Sequence, residues 1–377
     1  MTVLIAGGGI GGLCLAHGLR RAGVPFAVYE RSLHSGAEEQ GYRISLKGAG
    51  EQALRACLPP DLFALAQATA LRPATVMIFM NPDLTPKSAK PIPDLREGFG
   101  VHRRTLREIL LTALPGVHFG KTCTGYDADD RQVRAGFADG SSAVGDLLVG
   151  ADGTNSVIRR KLLPDSAIDE LGWAAYGRTP MTPDLLAQTP EELVDSFNRV
   201  IAPDGSAIAI ATCRSREPIA AAVARIAPYA ELTDVGEYFS WTATIPGRRP
   251  AKMDPRELHE MVLHTVRGWH PGVRRIVEAA DVEATFPVAI TSARPVEPWA
   301  EPRVTLLGDA IHTMSPGRGE GANVALRDAE LLTDVLSSGR PWAQAKSDYE
   351  RQMLEYAFGA VAASRESPFA PFARPAG

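Results

Sequence analysis

Several stretches of this chain join an apolar run to glycines and a carboxylate, a combination suited to ligands carrying phosphates and hydroxyls. In "VLIAGGGIGGLCLAHGLRRAGVPFAVYER" the run Val3 to Ala6 leads into Gly7, Gly9 and Gly12, which meet the GxGxxG spacing. Glycine there lets backbone approach a pyrophosphate, and a helix starting behind it offers unpaired N–H groups and a partial positive charge. Glu30 closes the next apolar run, Phe26 to Tyr29, close to the roughly 20-residue distance at which an acid meets a ribose. Such a carboxylate accepts hydrogen bonds from an adenosine ribose and repels a 2′-phosphate. The contact set predicted at this end is Gly7, Gly9, Ile10, Gly11, Gly12, Glu30 and Arg31. It predicts a bound dinucleotide and does not separate NAD from FAD.

Two later stretches bear on that choice. "DLLVGADGTNSVIRRKL" runs from Leu147 to Val149 into Gly150-Ala151-Asp152-Gly153, with Ser156 and Arg159 following at helix-like spacing. Alone, it reads equally well as an Asp-Gly turn before a capped helix. "VTLLGDAIHTMSPGRGEGANVALRDAELL" places Gly308-Asp309 at the end of a buried strand, Val304 to Leu307, where α/β folds bind ligands. Gly317, Gly319 and Gly321 keep side chains away, and a helix begins near Ala322-Asn323 with Val324, Leu331, Leu332, Val335 and Leu336 as its apolar stripe. A carboxylate beside a bare helix N-terminus suits a ligand with hydroxyls and a site of developing negative charge. FAD has both, in its ribityl chain and its N1–C2=O edge.

The elements that must hold these residues are legible around them. Strand, glycine turn, helix and strand follow one another at the N-terminus, with Gly23 placed as a helix cap and Pro25 just beyond. At 377 residues the chain has length for two domains, and 45% hydrophobic and 22% charged residues describe an ordinary globular composition. A net charge of -4 gives no reason to expect nucleic acid as a partner. No apolar run reaches the roughly 18 residues of a membrane span. Cys14, Cys57, Cys123 and Cys213 form no CxxC pair, which favours a reducing, cytoplasmic setting. "HEMVLH" misses the zincin spacing by one residue, so His259 and His264 read as surface or packing histidines and no metal is expected.

Together the motifs resemble those of the group A FAD-dependent monooxygenases, the p-hydroxybenzoate hydroxylase-like family that includes the tetracycline-inactivating monooxygenases. The matches are the N-terminal GxGxxG, the DG motif at Asp152-Gly153 with Ser156 and Arg159, and the GD motif at Gly308-Asp309. "VHRRTLREIL" puts Arg103 at the family's flavin-contacting arginine, and "SARPVEPW" resembles the segment that precedes the GD strand. Two departures stand out: Ser315-Pro316 where the family often has Pro-Pro, and Gly319-Glu320-Gly321 where it often has Gly-Gln-Gly.

The resemblance implies an α/β fold: a Rossmann-like FAD-binding domain of the GR2 type, an inserted β-sheet substrate domain and a C-terminal helix. Residues 1–70, 97–165 and 285–340 would form the discontinuous FAD domain, 71–96 and 166–284 the substrate domain, and 341–377 the helix and tail. It adds Lys47, Arg103, Asp152, Asp309, Pro316, Gly319, Gly321, Ala322 and Asn323 to the cofactor-binding set. Arg43 is expected near the isoalloxazine too, with Lys47 preferred for its "KGAG" context. His312 is expected beside Asp309 in a structural role, and no catalytic acid or base is assigned.

The implied activity is that of a single-component monooxygenase. NAD(P)H would be the co-substrate, and oxygen would pass from O₂ through a flavin C4a-hydroperoxide to an aromatic or polycyclic small molecule. The alternative is a reductase, dehydrogenase or cyclisation catalyst that inserts no oxygen, and a non-catalytic flavin-binding protein is a third class. Small monocyclic acids usually require a dedicated arginine clamp, and none is legible; a bulkier phenolic or polyketide-like compound is favoured. A monomer or weak homodimer is expected. In "EYFSWTATI", alternation puts Tyr238, Ser240 and Thr242 on one face of a strand and Phe239, Trp241 and Ala243 on the other, without saying which meets the ligand.

Overall fold

Val3–Ala6, Leu147–Gly150 and Val304–Leu306 are short strands with every residue buried. Continuous apolar runs of this kind belong to parallel sheets covered on both faces. The computed structural model, which describes residues 1–34, 43–92, 98–250 and 253–366, puts them side by side. They form a five-stranded sheet in the order Val304–Leu306, Leu147–Gly150, Val3–Ala6, Phe26–Tyr29 and Val117–His118. All its pairings are parallel. The register sets Ala6 opposite both Gly150 and Tyr29, and Gly150 opposite Leu306. The strands carrying the sequence motifs therefore end at one level, on one edge.

The helix Ile10–Arg21 follows the first strand and stops as its sequence requires. Gly23 takes a left-handed φ of 71°, and the N–H groups of Gly23 and Val24 donate to the carbonyls of Arg20 and Leu19 at 3.2 and 2.9 Å. Both hydrogen bonds of a Schellman motif are present. Arg20 and Arg21 in the last turn complement the helix dipole.

A second sheet has seven strands, in the order Phe286–Ala293, Ile168–Pro180, Tyr238–Thr244, Ala207–Cys213, Ser196–Ile201, Val76–Met80 and Pro86–Pro91. One face packs Trp173, Ile208, Ile210, Phe239 and Trp241 against Leu258, Val262, Val273 and Ile276 of the helices Pro255–Thr265 and Pro271–Glu278. His259 is buried in that packing, its Nε2 2.7 Å from the Val277 carbonyl oxygen. The opposite face carries the half-buried Tyr176, Ser240 and Thr242. Alternation along the strand thus sends Phe239, Trp241 and Ala243 into the core and leaves the Ser240–Thr242 side open. The boundary expected at residue 285 falls just before Phe286–Ala293, a strand that pairs with Ile168–Pro180 in this larger sheet. The expected boundary at 97 and the tail from 367 lie outside the described residues.

The helix Trp342–Arg365 spans both sheets. Near its start, Tyr349 Oη donates to the Leu306 carbonyl at 2.8 Å, and Glu350 accepts from Thr305 Oγ1 at 2.9 Å and pairs with the buried Lys346. Burial lifts the Glu350 carboxyl to about 7 despite that lysine. At its far end Arg365 pairs with Asp169 of the larger sheet at 2.9 Å. Among the described residues no helix is long and apolar enough to cross a membrane.

Candidate cofactor and substrate site

The shared strand edge brings the three motifs into contact. Gly7 has a φ of 118°, and a Cβ there would collide with the Ala151 carbonyl, so the glycine turn rests on the DG loop. A Cβ on Gly12 would strike the Gly7 carbonyl, and one on Gly11 would come within 2.9 Å of Leu307 Cδ1. Those glycines serve close packing. At Gly9, the N-cap of Ile10–Arg21, a Cβ would meet nothing within 4 Å. The space before that helix N-terminus is open, as a phosphate cradle requires.

Glu30 lies beside this turn. Its Oε2 accepts the Gly8 N–H at 2.6 Å, and its Oε1 accepts the Ser32 N–H and Oγ at 2.8 and 2.7 Å. Burial raises the carboxyl's pKa, but the hydrogen bonds from Ser32 and Gly8 outweigh it and hold the group below its usual range. Arg107, one helical turn beyond Arg103 and not singled out by the sequence reading, donates from Nε to the Gly8 carbonyl at 3.1 Å. Arg31 is exposed and joins none of these contacts among the described residues.

In the DG loop, Asp152 Oδ2 accepts the Val157 N–H at 2.8 Å, and Ser156 caps the helix Val157–Leu162 by accepting from Arg159. Asp152 Oδ1 is buried without a hydrogen-bond partner among the described residues. An orphaned buried acceptor at a strand edge suits a ligand hydroxyl. Arg159 Nη1 donates to the carbonyls of Thr154 and Ala310 at 3.0 and 2.8 Å, tying this loop to the GD turn.

The GD residues start a single helical turn, Asp309–His312, after Gly308 at φ 64°. Asp309 is exposed and available as an acceptor. His312, expected beside Asp309, instead puts its Nε2 2.6 Å from Asp328 Oδ2, and that same oxygen accepts the Gly308 N–H at 2.8 Å. Asp328 Oδ1 accepts from Tyr356 Oη at 2.6 Å. Burial alone would lower the His312 pKa, but the Asp328 carboxylate reverses this and Asp309 adds to it, leaving the imidazole raised. Asp328 thus grips both ends of the turn that carries Asp309. No sequence spacing announces it, because it lies on a later helix.

That helix, Gly321–Ser337, follows a 3₁₀ turn at Pro316–Arg318 and a left-handed Gly319 at φ 64°. Pro316 and Gly319 are exposed, while Gly321 and Ala322 are half-buried at the helix start. A Cβ on Gly321 would lie 3.9 Å from Asp309 Oδ1. The Asn323 side chain is committed within the protein: Oδ1 accepts the Lys47 N–H at 3.0 Å, and Nδ2 donates to the carbonyls of Ser45 and Gly319 at 2.8 and 3.0 Å. Lys47 Nζ lies 2.8 Å from Glu320 Oε1 and donates to the Arg318 carbonyl at 3.0 Å. The unusual Glu320 therefore has a cationic partner and fastens the glycine loop to the chain around Lys47.

Arg103 is half-buried between the sheets. Burial lowers its pKa, opposed by the Asp309 carboxylate and by Tyr176. Tyr176 lies opposite Thr242 in the strand register and stacks on Phe286 with ring centroids 5.9 Å apart. Thr313 Oγ1 is 3.0 Å from Thr154 Oγ1 and 3.1 Å from Thr291 Oγ1, a hydroxyl chain from the DG loop to the larger sheet. The open Gly9 cradle, the free Asp152 oxygen and the exposed Asp309 beside a bare helix start fit the diphosphate and polyhydroxyl chain of FAD.

Comparison with known proteins agrees. The family model described as an FAD binding domain matches residues 104–345. This chain belongs to that family. Its cofactor is FAD, and its relatives are the group A monooxygenases. A solved Photorhabdus luminescens protein assigned as an FAD containing monooxygenase is 33% identical, with a TM-score of 0.81 over 97% of this chain and 96% of that one. The dual O-methyltransferase/FAD-dependent monooxygenase CTB3 of Cercospora beticola is 33% identical over 93% of this chain, which spans only 44% of that relative's length. The aurachin C monooxygenase/isomerase of Stigmatella aurantiaca is 27% identical over 97% of this chain and 88% of the relative. Tetracycline destructase Tet(51) shares the fold, with a TM-score of 0.69 at 19% identity.

Proposed function

We propose that this FAD-binding chain is a single-component monooxygenase that uses NAD(P)H and O₂ to oxygenate an aromatic or polycyclic small molecule. The observation that carries the reading is the meeting of Asp309, Arg103 and the Gly321 helix start with the open Tyr176–Thr242 face of the larger sheet. Bound FAD supplies the electron transfer and the reaction with O₂. The chain's own residues bind, orient and shield. Glu30 and the Gly7–Gly12 turn would hold the adenosine and diphosphate, and Asp152 and Asp309 would accept hydroxyl donors. The backbone N–H groups of Ala322 and Asn323 would favour negative charge arising at the flavin edge, and Arg103 adds a positive charge nearby. Tyr176, Phe286 and Thr242 would form the substrate's platform and exclude water.

On this reading the five-stranded sheet is the core of a cofactor domain and the seven-stranded sheet that of a substrate domain. Incubation with NADPH, ¹⁸O₂ and a panel of phenolic polycycles tests the function: product gaining one ¹⁸O supports it, and turnover without incorporation overturns it. An isomerising or cyclising flavoenzyme is the second reading, favoured by the double activity in the name of the Stigmatella relative. Product of unchanged oxygen content would support it.

A further inference from the structure

The strand Arg43–Leu46 pairs with Phe99–His102 to make a two-stranded ribbon. Ile44 and Leu46 are buried in the core, so alternation turns Arg43 and Ser45 to the other side. The register pairs Arg43 with His102 and Ser45 with Gly100. A Cβ on Gly100 would lie 3.3 Å from Arg43 Nε and 3.4 Å from Nη2, so the missing side chain leaves the guanidinium room over bare backbone.

Leu71 joins this ribbon to the larger sheet by bridging both Gly100 and Ser215. The Arg43 charge is felt by Cys213, whose thiol lies 3.6 Å from Ser240 Oγ on the sheet's open face. His102 packs edge-on against Tyr238, with ring centroids 5.6 Å apart. Arg43 thus stands where the ribbon meets the Tyr238–Ser240 end of the open face, and Arg103 begins the helix that follows His102.

Three other half-buried arginines around the large sheet and the Arg103 helix have carboxylate partners. Arg178 pairs with Asp281 at 3.1 Å, Arg214 with Asp195 at 3.2 Å and Arg104 with Glu108 at 2.9 Å. Arg43 is half-buried too, yet no carboxylate and no carbonyl pairs with it among the described residues. A guanidinium carries five donors and does not lose its charge, so one lying over bare backbone, with no acceptor among the described residues, is poised for a ligand that brings one.

We propose that Arg43 recognises an anionic oxygen on the substrate, a carboxylate or an ionised phenol, and thereby selects acidic aromatic compounds. The inference rests on the open face of the larger sheet being the substrate platform. It would supply the arginine clamp that is not legible in the sequence.

The test uses full-length, FAD-loaded protein and three probes: 3-hydroxy-2-naphthoate, its methyl ester, and 3-methoxy-2-naphthoate. Affinity is read from the change each causes in the visible spectrum of the bound flavin. Wild type should bind the hydroxy acid about tenfold or more tightly than one of the neutralised forms, the size expected of a charge-assisted contact. Loss of affinity in the ester assigns the carboxylate, and loss in the ether assigns the phenol oxygen. Arg43→Gln should erase that preference with FAD content unchanged, and Arg43→Lys should restore part of it. Equal affinity for all probes, no response to the acid, or a preference that survives Arg43→Gln would each overturn the proposal. Loss of FAD from the variant would also overturn it, by making Arg43 a cofactor residue. Arg43-dependent acid binding without ¹⁸O incorporation would sink the monooxygenase reading and leave the anion site standing.

Discussion

Asp309 and Glu30 are both carboxylates at strand ends, but they differ in what already binds them. Glu30 is occupied by Gly8 and Ser32, whereas Asp309 is exposed. Asp309→Ala should therefore weaken FAD affinity about ten- to a hundredfold, from loss of a charge-assisted hydrogen bond of roughly 1.5–3 kcal/mol. Unchanged affinity in a folded variant, measured by fluorescence titration, would count against the assignment. Glu30→Ala should weaken FAD binding and lower stability as well, because it orphans the buried Gly8 N–H. His312 carries a pH consequence. Its folded pKa is raised, so its contribution to stability is complete below the unfolded value of about 6.5 and is lost as pH climbs through the folded one. Melting temperatures of wild type and His312→Gln should converge as the pH rises; a constant gap would show that the Asp328 pair does not titrate. The glycines and acids were legible as single residues because their chemistry is local. Arg43 was legible only through the family resemblance, and Asp328 not at all, since its partners Gly308, His312 and Tyr356 lie outside any local motif.

Among the elements, the glycine loop is the one whose design can be separated from its stability. Gly319 and Gly339 both have left-handed φ values, 64° and 71°, and a Cβ would touch nothing at either. Valine at each position should incur similar backbone strain, of order 1–2 kcal/mol. Only Gly319 lies beside Lys47, Glu320 and Asn323, so Gly319→Val should also slow flavin reduction by NAD(P)H or loosen FAD. Gly339→Val should leave the flavin's spectrum and reduction rate close to wild type. Equal loss of stability with no flavin effect in either variant would make Gly319 an ordinary turn residue. The strands Val3–Ala6 and Phe26–Tyr29, apolar runs bounded by turn residues, and the long helix Trp342–Arg365 were readable from sequence alone. The turn at Asp309–His312 was not, because four residues carry no period to read.

For the whole molecule, purified protein should be yellow and release FAD, not FMN or NAD, on denaturation; colourless protein that cannot be reconstituted would contradict the cofactor assignment. The parallel sheet could be anticipated because its motifs mark their own strand ends. The order of the seven-stranded sheet could not, as it depends on pairings such as Val76–Met80 with Ser196–Ile201, across more than a hundred residues of chain.

The order of the five-stranded sheet has a consequence for how the protein is made. Leu147–Gly150 lies between the first strand, Val3–Ala6, and the last, Val304–Leu306, so the cradle is finished only by a segment translated some 300 residues after it was begun. A growing chain emerges from the ribosome at about 5–20 residues per second, which leaves the phosphate turn without its GD partner for on the order of tens of seconds. From its own translation until Val304–Leu306 arrives, the apolar edge of Leu147–Gly150 has no neighbour on its outer side. FAD arriving early would find half a site, and its arrival late would lock the two ends of the chain together.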